Sequence, residues 1–190
     1  MNNVMVDLET LDNTPTSVII AIGAVAFDET GIGRTFYNVV SAKSCTDVGL
    51  TIGADTVMWW MKQDIKAKAA FGDGGIPLEQ ALFNFAVWYP EGAALWGNGA
   101  TFDNVILANA YRAFSIAAPG IVKAKCPWKY NKDRCYRTLK ALYPDIIAEM
   151  IGGVAHNALD DAAYQAKHAV KILRHIKGLG GAIGELRKLT

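Results

Sequence analysis

Residues 4–10 read Val-Met-Val-Asp-Leu-Glu-Thr, an apolar run typical of a buried strand that ends in two carboxylates. Side chains alternate along a strand, which gives two faces: Met5, Asp7 and Glu9 on one, Val4, Val6 and Leu8 on the other. A buried carboxylate needs a positive partner, and no Lys or Arg occurs in the first 30 residues. The segment therefore predicts either a bound cation or a plainer alternative, a strand that ends at Val6 before a solvated, acid-rich turn.

The bulk composition is that of a single globular domain. The 190 residues are 52% hydrophobic and 19% charged, with a formal net charge of +1. This balance excludes a broadly basic nucleic-acid coat but allows a local basic groove. Cys45, Cys126 and Cys135 form no CxxC pair, which fits a reducing compartment and argues against structural zinc. With no secretory signal and no apolar run of membrane-spanning length, we expect a cytoplasmic protein without membrane contact.

The order of predicted elements indicates an α/β domain with a mixed central sheet flanked by helices. The predicted strands are residues 4–10, 17–27, 34–40 and 93–96, and the predicted helices are residues 56–71, 77–89, 103–114, 133–142 and 158 to about 177. Residues 178–184 are rich in glycine but follow a helix rather than a strand, so we expect a helix cap and a loose tail instead of a phosphate loop. The predicted domain is residues 1–177, with residues 178–190 as the tail.

Further acids lie after a later strand and at the start of the last predicted helix. Asp103 comes just after a strand and a glycine-rich turn, where backbone can pass close to another group. A helix N-cap would also explain it. Asn157 and Asp160 form a capping-box pattern at the start of the last predicted helix, which accounts for Asp160. His156 precedes that helix and Asp161 lies in its first turn, but helical periodicity does not choose Asp161 over Asp160.

In order and character these residues resemble the three motifs of the DEDDh 3′-5′ exonucleases, the DnaQ-like group with a ribonuclease H-like fold. The motifs are Asp7-Leu8-Glu9-Thr10, Phe102-Asp103, and His156 followed five positions later by Asp161. Residues 58–63 and 128–138 extend the likeness to small phage and bacterial exonucleases of the Rv2179c exoribonuclease type and the phage DexA type. The resemblance covers residues 1–177. Many relatives outside this subgroup have His-Asn-Ala shortly before the Phe-Asp pair, whereas this chain has Gly97-Asn98-Gly99-Ala100-Thr101. This difference leaves open whether Asn98 has the role of the asparagine in those relatives.

The resemblance implies a metal-dependent enzyme that releases nucleoside 5′-monophosphates from the 3′ ends of single-stranded DNA or RNA. Two Mg²⁺ or Mn²⁺ ions would be held by Asp7, Glu9 and Asp161, with Asp103 contributing directly or through water. His156 is the implied general base, because imidazole titrates near neutral pH and the residue lies on a loop before a helix. Bound metal would then compensate the charges in the first strand. The resemblance also allows a homodimer.

Three residues are candidate substrate contacts. Thr10 would fix the terminal nucleotide through its hydroxyl or backbone, Trp59 would stack on a base, and Arg137 would bind phosphate as part of the basic cluster in residues 129–137. Trp59 and its neighbour Trp60 adjoin a methionine stripe, for which core packing is the favoured interpretation. A solvated helix face explains the basic cluster equally well.

Two other function classes stay open at the level of sequence. A ribonuclease H-type endonuclease would share the fold and the acids but has no need of a histidine at position 156. A catalytically inactive nucleic-acid-binding module would keep the fold alone, although all five residues of the catalytic motifs are present. The choice between RNA and DNA depends on contacts to a 2′-hydroxyl, which these motifs do not specify.

Overall fold

The computed structural model describes residues 1–71, 74–117, 125–149 and 156–186. Its centre is a five-stranded sheet made of β1 (Asn3–Thr10), β2 (Ile19–Asp28), β3 (Gly31–Val39), β4 (Ala94–Gly97) and β5 (Asp133–Cys135). The order across the sheet is β3-β2-β1-β4-β5. The pairs β1–β2 and β2–β3 are antiparallel, whereas β1–β4 and β4–β5 are parallel. The predicted mixed central sheet is confirmed.

The helices flank this sheet. They are α1 (Ala42–Asp47), α2 (Ala54–Met61), α3 (Leu78–Trp88), α4 (Asp103–Ala117), α5 (Tyr136–Leu142) and α6 (Ala158–Leu186), with short 3₁₀ turns at Ala67–Phe71 and Tyr130–Lys132. Helix α6 packs across β1, β2 and β3, while α4 contacts β1 and β4. In the part of the chain that the structure describes, none of the helices combines the length and the apolar character needed to cross a bilayer.

Strand β1 separates two apolar cores. Its residues Val4, Val6 and Leu8 belong to the larger core, which includes buried side chains of α3 and α4. Its residue Met5 belongs to a second core made with β2 and the alanines of α6. The alternation predicted for residues 4–10 is therefore confirmed, and α6 covers the face of β1 that carries the acids.

Two predicted helices have different limits in the structure. Residues 56–71 do not form one helix, because α2 ends at Met61 and a 3₁₀ turn begins only at Ala67. Between them, the side chain of Asp64 accepts a hydrogen bond of 2.8 Å from the backbone N–H of Lys66, a local bond that competes with helical pairing. Residues 133–142 begin as the edge strand β5, and the helix starts only at Tyr136.

The last helix is longer than predicted. Helix α6 continues through Gly178 to Leu186, so the predicted helix cap near residue 177 is wrong. Each glycine costs a helix about 1 kcal/mol relative to alanine, and residues 178–186 contain no proline that would stop it. Residues 187–190 of the predicted tail lie outside the described residues, and the domain limit at residue 177 stays a prediction.

Candidate active site

The two acids of β1 lie inside the strand. Strand β1 continues to Thr10, and the Glu9 side chain is 7% exposed. The alternative of a solvated turn after Val6 is therefore wrong. Asp7 is partly buried on the same face of the strand, so the fold does bury carboxylates where the apolar pattern calls for core residues.

Carboxylates from β1 and α6 meet at one point. Asp7, Glu9 and Asp161 each offer an oxygen that lies within 4.8 Å of the other two. All three line a cavity of about 670 Å³, together with Asp103 and His156. The structure thus brings together the five residues that the sequence motifs single out.

A glycine on β2 makes the approach of α6 possible. Gly23 pairs with Asp7 in the β1–β2 register, and a Cβ at this position would lie 2.1 Å from the carbonyl carbon of Ala158, the first residue of α6. Because that distance is far shorter than any real contact, α6 starts here only over a residue without a side chain. Sequence analysis gave Gly23 no role. The available signal was a glycine within a long apolar strand, which marks a close backbone approach.

The start of α6 sets which acid enters the cavity. The Oδ1 of Asn157 accepts hydrogen bonds from the backbone N–H groups of Leu159 (3.1 Å) and Asp160 (3.2 Å), so the predicted N-cap is confirmed. The Oδ2 of Asp161 accepts one from the backbone N–H of His156 (3.1 Å). The three-carboxylate group contains Asp161, a distinction that periodicity does not make.

His156 is held at the cavity by its backbone and by an aromatic neighbour. Its φ is +63°, an uncommon left-handed conformation for a residue other than glycine. Its ring packs edge-to-face on Trp59, with the ring centroids 5.0 Å apart. These two restraints fix the imidazole beside Asp161.

The two neighbouring tryptophans differ in their surroundings. Trp60 is 4% exposed and donates its indole N–H to the carbonyl of Thr10 at 2.8 Å, so it is a core residue. Trp59 is 42% exposed and packs edge-to-face against both Trp60 and His156. Core packing is thus the right interpretation for Trp60 and the wrong one for Trp59. The hydroxyl of Thr10, also buried, donates to the carbonyl of Asp12 at 2.8 Å, and its contact with a nucleotide stays a prediction.

Asp103 connects α4 to the middle of β1. It is the first residue of α4 and is almost fully buried, and its Oδ1 accepts a hydrogen bond of 3.2 Å from the backbone N–H of Leu8. The carboxylate therefore binds the backbone of β1, a contact that the sequence did not predict; the sequence alone suggested a helix cap. A Cβ on Gly97 would lie 3.0 Å from Asp103 Oδ2, so this glycine leaves room for the acid.

The pKa values of all four acids are raised. Burial raises the pKa of Glu9 to about 8, and the charges of Asp161 and Asp103 add to the effect. Burial, followed by the charges of the three other acids, raises the pKa of Asp7 well above its usual range, opposed by a hydrogen bond from Gln165. Burial also raises the pKa of Asp103 to about 7 and moves that of Asp161 upward. Anionic carboxylates are thus unfavourable here without a nearby cation.

The donor set fits a hard divalent cation. Within the described residues, the group that offers atoms at ligand distance from one another consists of the carboxylates of Asp7, Glu9 and Asp161. Carboxylate oxygens suit Mg²⁺ and Mn²⁺, whereas zinc sites are richer in cysteine and histidine. The raised pKa values point the same way, because a cation would stabilise the charged form of each acid.

Gln165 is a site residue that sequence analysis missed. It lies four residues after Asp161 on α6, is 5% exposed, and donates from Nε2 to Oδ1 of Asp7 at 2.8 Å. Its buried Oε1 has no hydrogen-bond partner among the described residues, and neither does the buried Oδ1 of Asn98, which lines the same cavity. The signal for Gln165 was its spacing, because residues i and i+4 share a helix face.

Arg137 supplies positive charge to the cavity. It lies on α5, lines the cavity with Lys140, and donates from Nη2 to the carbonyl of Asn98 at 2.7 Å. Its charge opposes the rise in the pKa of Asp103. Arg134 of the same basic cluster donates to neighbouring backbone carbonyls instead.

Comparisons with known proteins add a family and a fold. The model of the 3′-5′ exoribonuclease Rv2179c-like domain matches residues 2–173. No curated protein matches the chain. A solved Exonuclease I from Methylocaldum szegediense is similar with a TM-score of 0.57 and 14% identity, over 90% of this chain and 40% of that one. Cell-death related nuclease 4 (CRN-4) gives a TM-score of 0.47 and 16% identity, over 93% and 64%.

These findings differ in what they establish. The chain spans less than half the length of the Exonuclease I chain, and that likeness shows a shared ribonuclease H-like fold. The family match includes every lining residue of the carboxylate cavity, from Asp7 to His168. The chain belongs to the Rv2179c-like 3′-5′ exoribonuclease domain family.

Proposed function

We propose that this protein is a divalent-metal-dependent 3′-5′ exonuclease that releases nucleoside 5′-monophosphates from single-stranded ends. The observation that carries the proposal is the meeting of Asp7, Glu9 and Asp161 within 4.8 Å in a cavity that also contains His156. Membership of a 3′-5′ exoribonuclease family supports the same reaction class.

The carboxylates hold two Mg²⁺ or Mn²⁺ ions in this proposal. Asp7, Glu9 and Asp161 would hold these ions, and Asp103 would contribute directly or through water. When bound, such a pair lowers the pKa of the attacking water and stabilises the departing 3′ oxygen. Gln165 keeps one Asp7 oxygen in a fixed direction through its hydrogen bond, which is how outer residues commonly orient metal ligands.

His156 accepts the proton of the attacking water. Its backbone N–H donates to Asp161 and its ring packs on Trp59. These two contacts hold the base beside the carboxylates. A positioned base of this kind contributes about 10²–10⁴-fold to the rate. A histidine beside the acids also favours the exonuclease over a ribonuclease H-type endonuclease, for which the residue has no role.

The substrate is held by charge and by stacking. Arg137 and Lys140 line the cavity and bind substrate phosphate, since guanidinium and ammonium groups are the usual phosphate contacts. The exposed part of Trp59 stacks on a base near the 3′ end, a contact worth about 1–3 kcal/mol. Thr10 contacts the terminal nucleotide in this proposal with its hydroxyl as an acceptor, because that hydroxyl already donates to Asp12 and the Thr10 carbonyl already accepts from Trp60.

A labelled-strand assay tests the proposal. With Mn²⁺ or Mg²⁺, a single strand labelled at its 5′ end should shorten one nucleotide at a time and release nucleoside 5′-monophosphates. A circular strand of the same sequence should stay intact, because it has no 3′ end. Cleavage of the circle would favour the endonuclease, and binding without cleavage would favour the inactive module. RNA and DNA versions of one sequence, run side by side, decide the preferred sugar.

A further inference from the structure

A second concavity lies along α6, beside the carboxylate cavity. Its volume is about 320 Å³, and its walls are one side of α6, residue Glu149 and the start of β3 at Gly31 and Ile32. Tyr164 and His168 line both concavities, so the two adjoin. We call this second concavity the α6 groove.

The wall between the two concavities is fixed by hydrogen bonds. His168 is 8% exposed, and its Nε2 donates to the carbonyl of Ile146 at 2.6 Å. Its Nδ1 forms a second hydrogen bond, of 2.7 Å, with the hydroxyl of Tyr136, so both ring nitrogens have a partner. A nucleic-acid strand that passed from the carboxylate cavity into the α6 groove would therefore cross a side chain that hydrogen bonds already hold in place.

The α6 groove is positively charged. Lys167, Lys171 and Arg174 are spaced four and three residues apart, so they lie on one side of α6. Glu149 is the one acid in the groove lining among the described residues. Three cationic side chains and one anionic side chain leave a net positive groove on a chain whose overall formal charge is only +1.

Glu149 forms an exposed ion pair with a lysine of the groove. Its Oε1 lies 2.9 Å from Nζ of Lys171, and both side chains are exposed, by 80% and 44%. The charge of Lys167 acts on the same carboxylate. An exposed ion pair is worth only about 0–1 kcal/mol, so a phosphate oxygen can replace the carboxylate at little cost.

The distance of the groove from Asp161 fits internal nucleotides of a bound single-stranded nucleic acid and is too long for the terminal nucleotide. At about 1.5 Å per helical residue, Lys167, Lys171 and Arg174 lie roughly 9, 15 and 20 Å along the axis from Asp161. With about 3.4 Å between stacked nucleotides, this interval corresponds to approximately the third to sixth nucleotide from the reacting end.

We propose that the α6 groove binds backbone phosphates of the single strand whose 3′ end occupies the carboxylate cavity, with phosphate replacing Glu149 beside Lys171 and Lys167. The inference rests on the proposed exonuclease function and adds a second substrate-binding site to it. Such contacts go to phosphates and carry no base preference, which suits an enzyme that must bind successive nucleotides of any sequence.

Two variants with opposite expected effects on KM test the proposed phosphate site. Lys167→Ala should raise KM for a ten-nucleotide strand about 3–10-fold at low salt and lower the slope of log KM against log salt by about 1. Glu149→Gln should lower the same KM, because it removes the competing carboxylate. Hydrolysis of a dinucleotide, which is too short to reach Lys167, should be unchanged in both. Lys43→Ala, on the distant helix α1, is the matched control and should behave as the wild type.

The groove is excluded if Lys167→Ala leaves the ten-nucleotide KM unchanged, or if the dinucleotide and the longer strand are affected equally. Failure of the exonuclease proposal looks different, because neither substrate would then be hydrolysed by the wild type. In that case, fluorescence anisotropy with the labelled ten-nucleotide strand still decides the groove. Weaker binding of Lys167→Ala and tighter binding of Glu149→Gln support it, and equal binding of both variants and the wild type overturns it.

Discussion

One face of β1 carries the apolar residues Val4, Val6 and Leu8, whereas the other carries Met5 followed by two acids. Val6 and Leu8 pack into the larger core with α3 and α4. Asp7 and Glu9 lie at the same depth in the sheet, under α6, where burial raises the pKa of both. Removal from water therefore stabilises the apolar side chains on one face and destabilises the ionised carboxylates on the other. A cation from outside the chain would stabilise the ionised acids of the second face.

The two faces also differ in the size of the side chains that cover them. The larger core is filled by bulky residues such as Phe85 and Leu107. On the acidic face, α6 presents alanines, and its first residue, Ala158, lies against Gly23. Small residues bring the α6 backbone close enough for Asp161 to reach the acids of β1. Close packing on this face therefore assembles a site, while on the other face it fills a core.

The largest expected effect separates the two faces directly. Asp7→Asn should reduce hydrolysis by at least about 10³-fold, because a metal ligand is lost. Its metal-free melting temperature should equal or exceed that of the wild type, because one repelling charge is gone. Val6→Ala, on the opposite face and not in the cavity lining, should instead destabilise the fold by about 1–3 kcal/mol, with the activity of the folded fraction retained. A sharp drop in melting temperature for Asp7→Asn would make Asp7 a structural residue.

The next effect concerns two adjacent acids at the start of α6. Asp161→Asn should lose nearly all activity, since Asp161 belongs to the three-carboxylate group. Asp160→Asn should keep most of it. Initial rates on the labelled single strand measure both variants, and the opposite ranking would shift the assigned register by one residue.

His156→Ala should lower kcat by about 10²–10⁴-fold while binding of metal and strand persists, because the change removes proton transfer but no carboxylate. Raising the pH should partly restore the variant, since hydroxide needs no base, whereas the wild-type rate should level off once the imidazole is neutral. The measurement is kcat against pH at saturating strand. Equal kcat values at neutral pH would remove His156 from the reaction and reopen the ribonuclease H-type alternative.

A smaller effect is expected for Gln165. Gln165→Met keeps the volume but removes the hydrogen bond to Asp7, which should weaken Mn²⁺ affinity and lower activity by about 10–100-fold. Calorimetric Mn²⁺ titration and kcat measure the two consequences together. If Mn²⁺ affinity is unchanged while the variant melts at a lower temperature, Gln165 acts only through packing.

Local patterns in the sequence carry part of this structure. Alternation along residues 4–10 predicts the acidic face, and the cap pattern at Asn157 predicts where α6 begins; both are confirmed. The closeness of Asp161 to Asp7 is not encoded locally, because it depends on Gly23 of another strand. The helix predicted over residues 56–71 is broken after Met61, and a side-chain bond at Asp64 follows the break; an apolar period cannot reveal such a bond.

The most direct test compares the melting temperatures of the wild type and Glu9→Gln, each with EDTA or with Mn²⁺, at pH 6 and pH 9. The pKa of Glu9 rises from its ordinary value of 4.5 to about 8 in the folded protein. Between these values the folded state keeps a proton that the unfolded state has lost, so the contribution of Glu9 to stability falls as the pH rises.

With EDTA, the wild type should therefore lose several degrees relative to Glu9→Gln between pH 6 and pH 9. At pH 9, Mn²⁺ should raise the melting temperature of the wild type clearly more than that of the variant, because binding to the folded state stabilises it. A wild type that follows Glu9→Gln at both pH values and gains nothing from Mn²⁺ would contradict a metal site on the acidic face of β1.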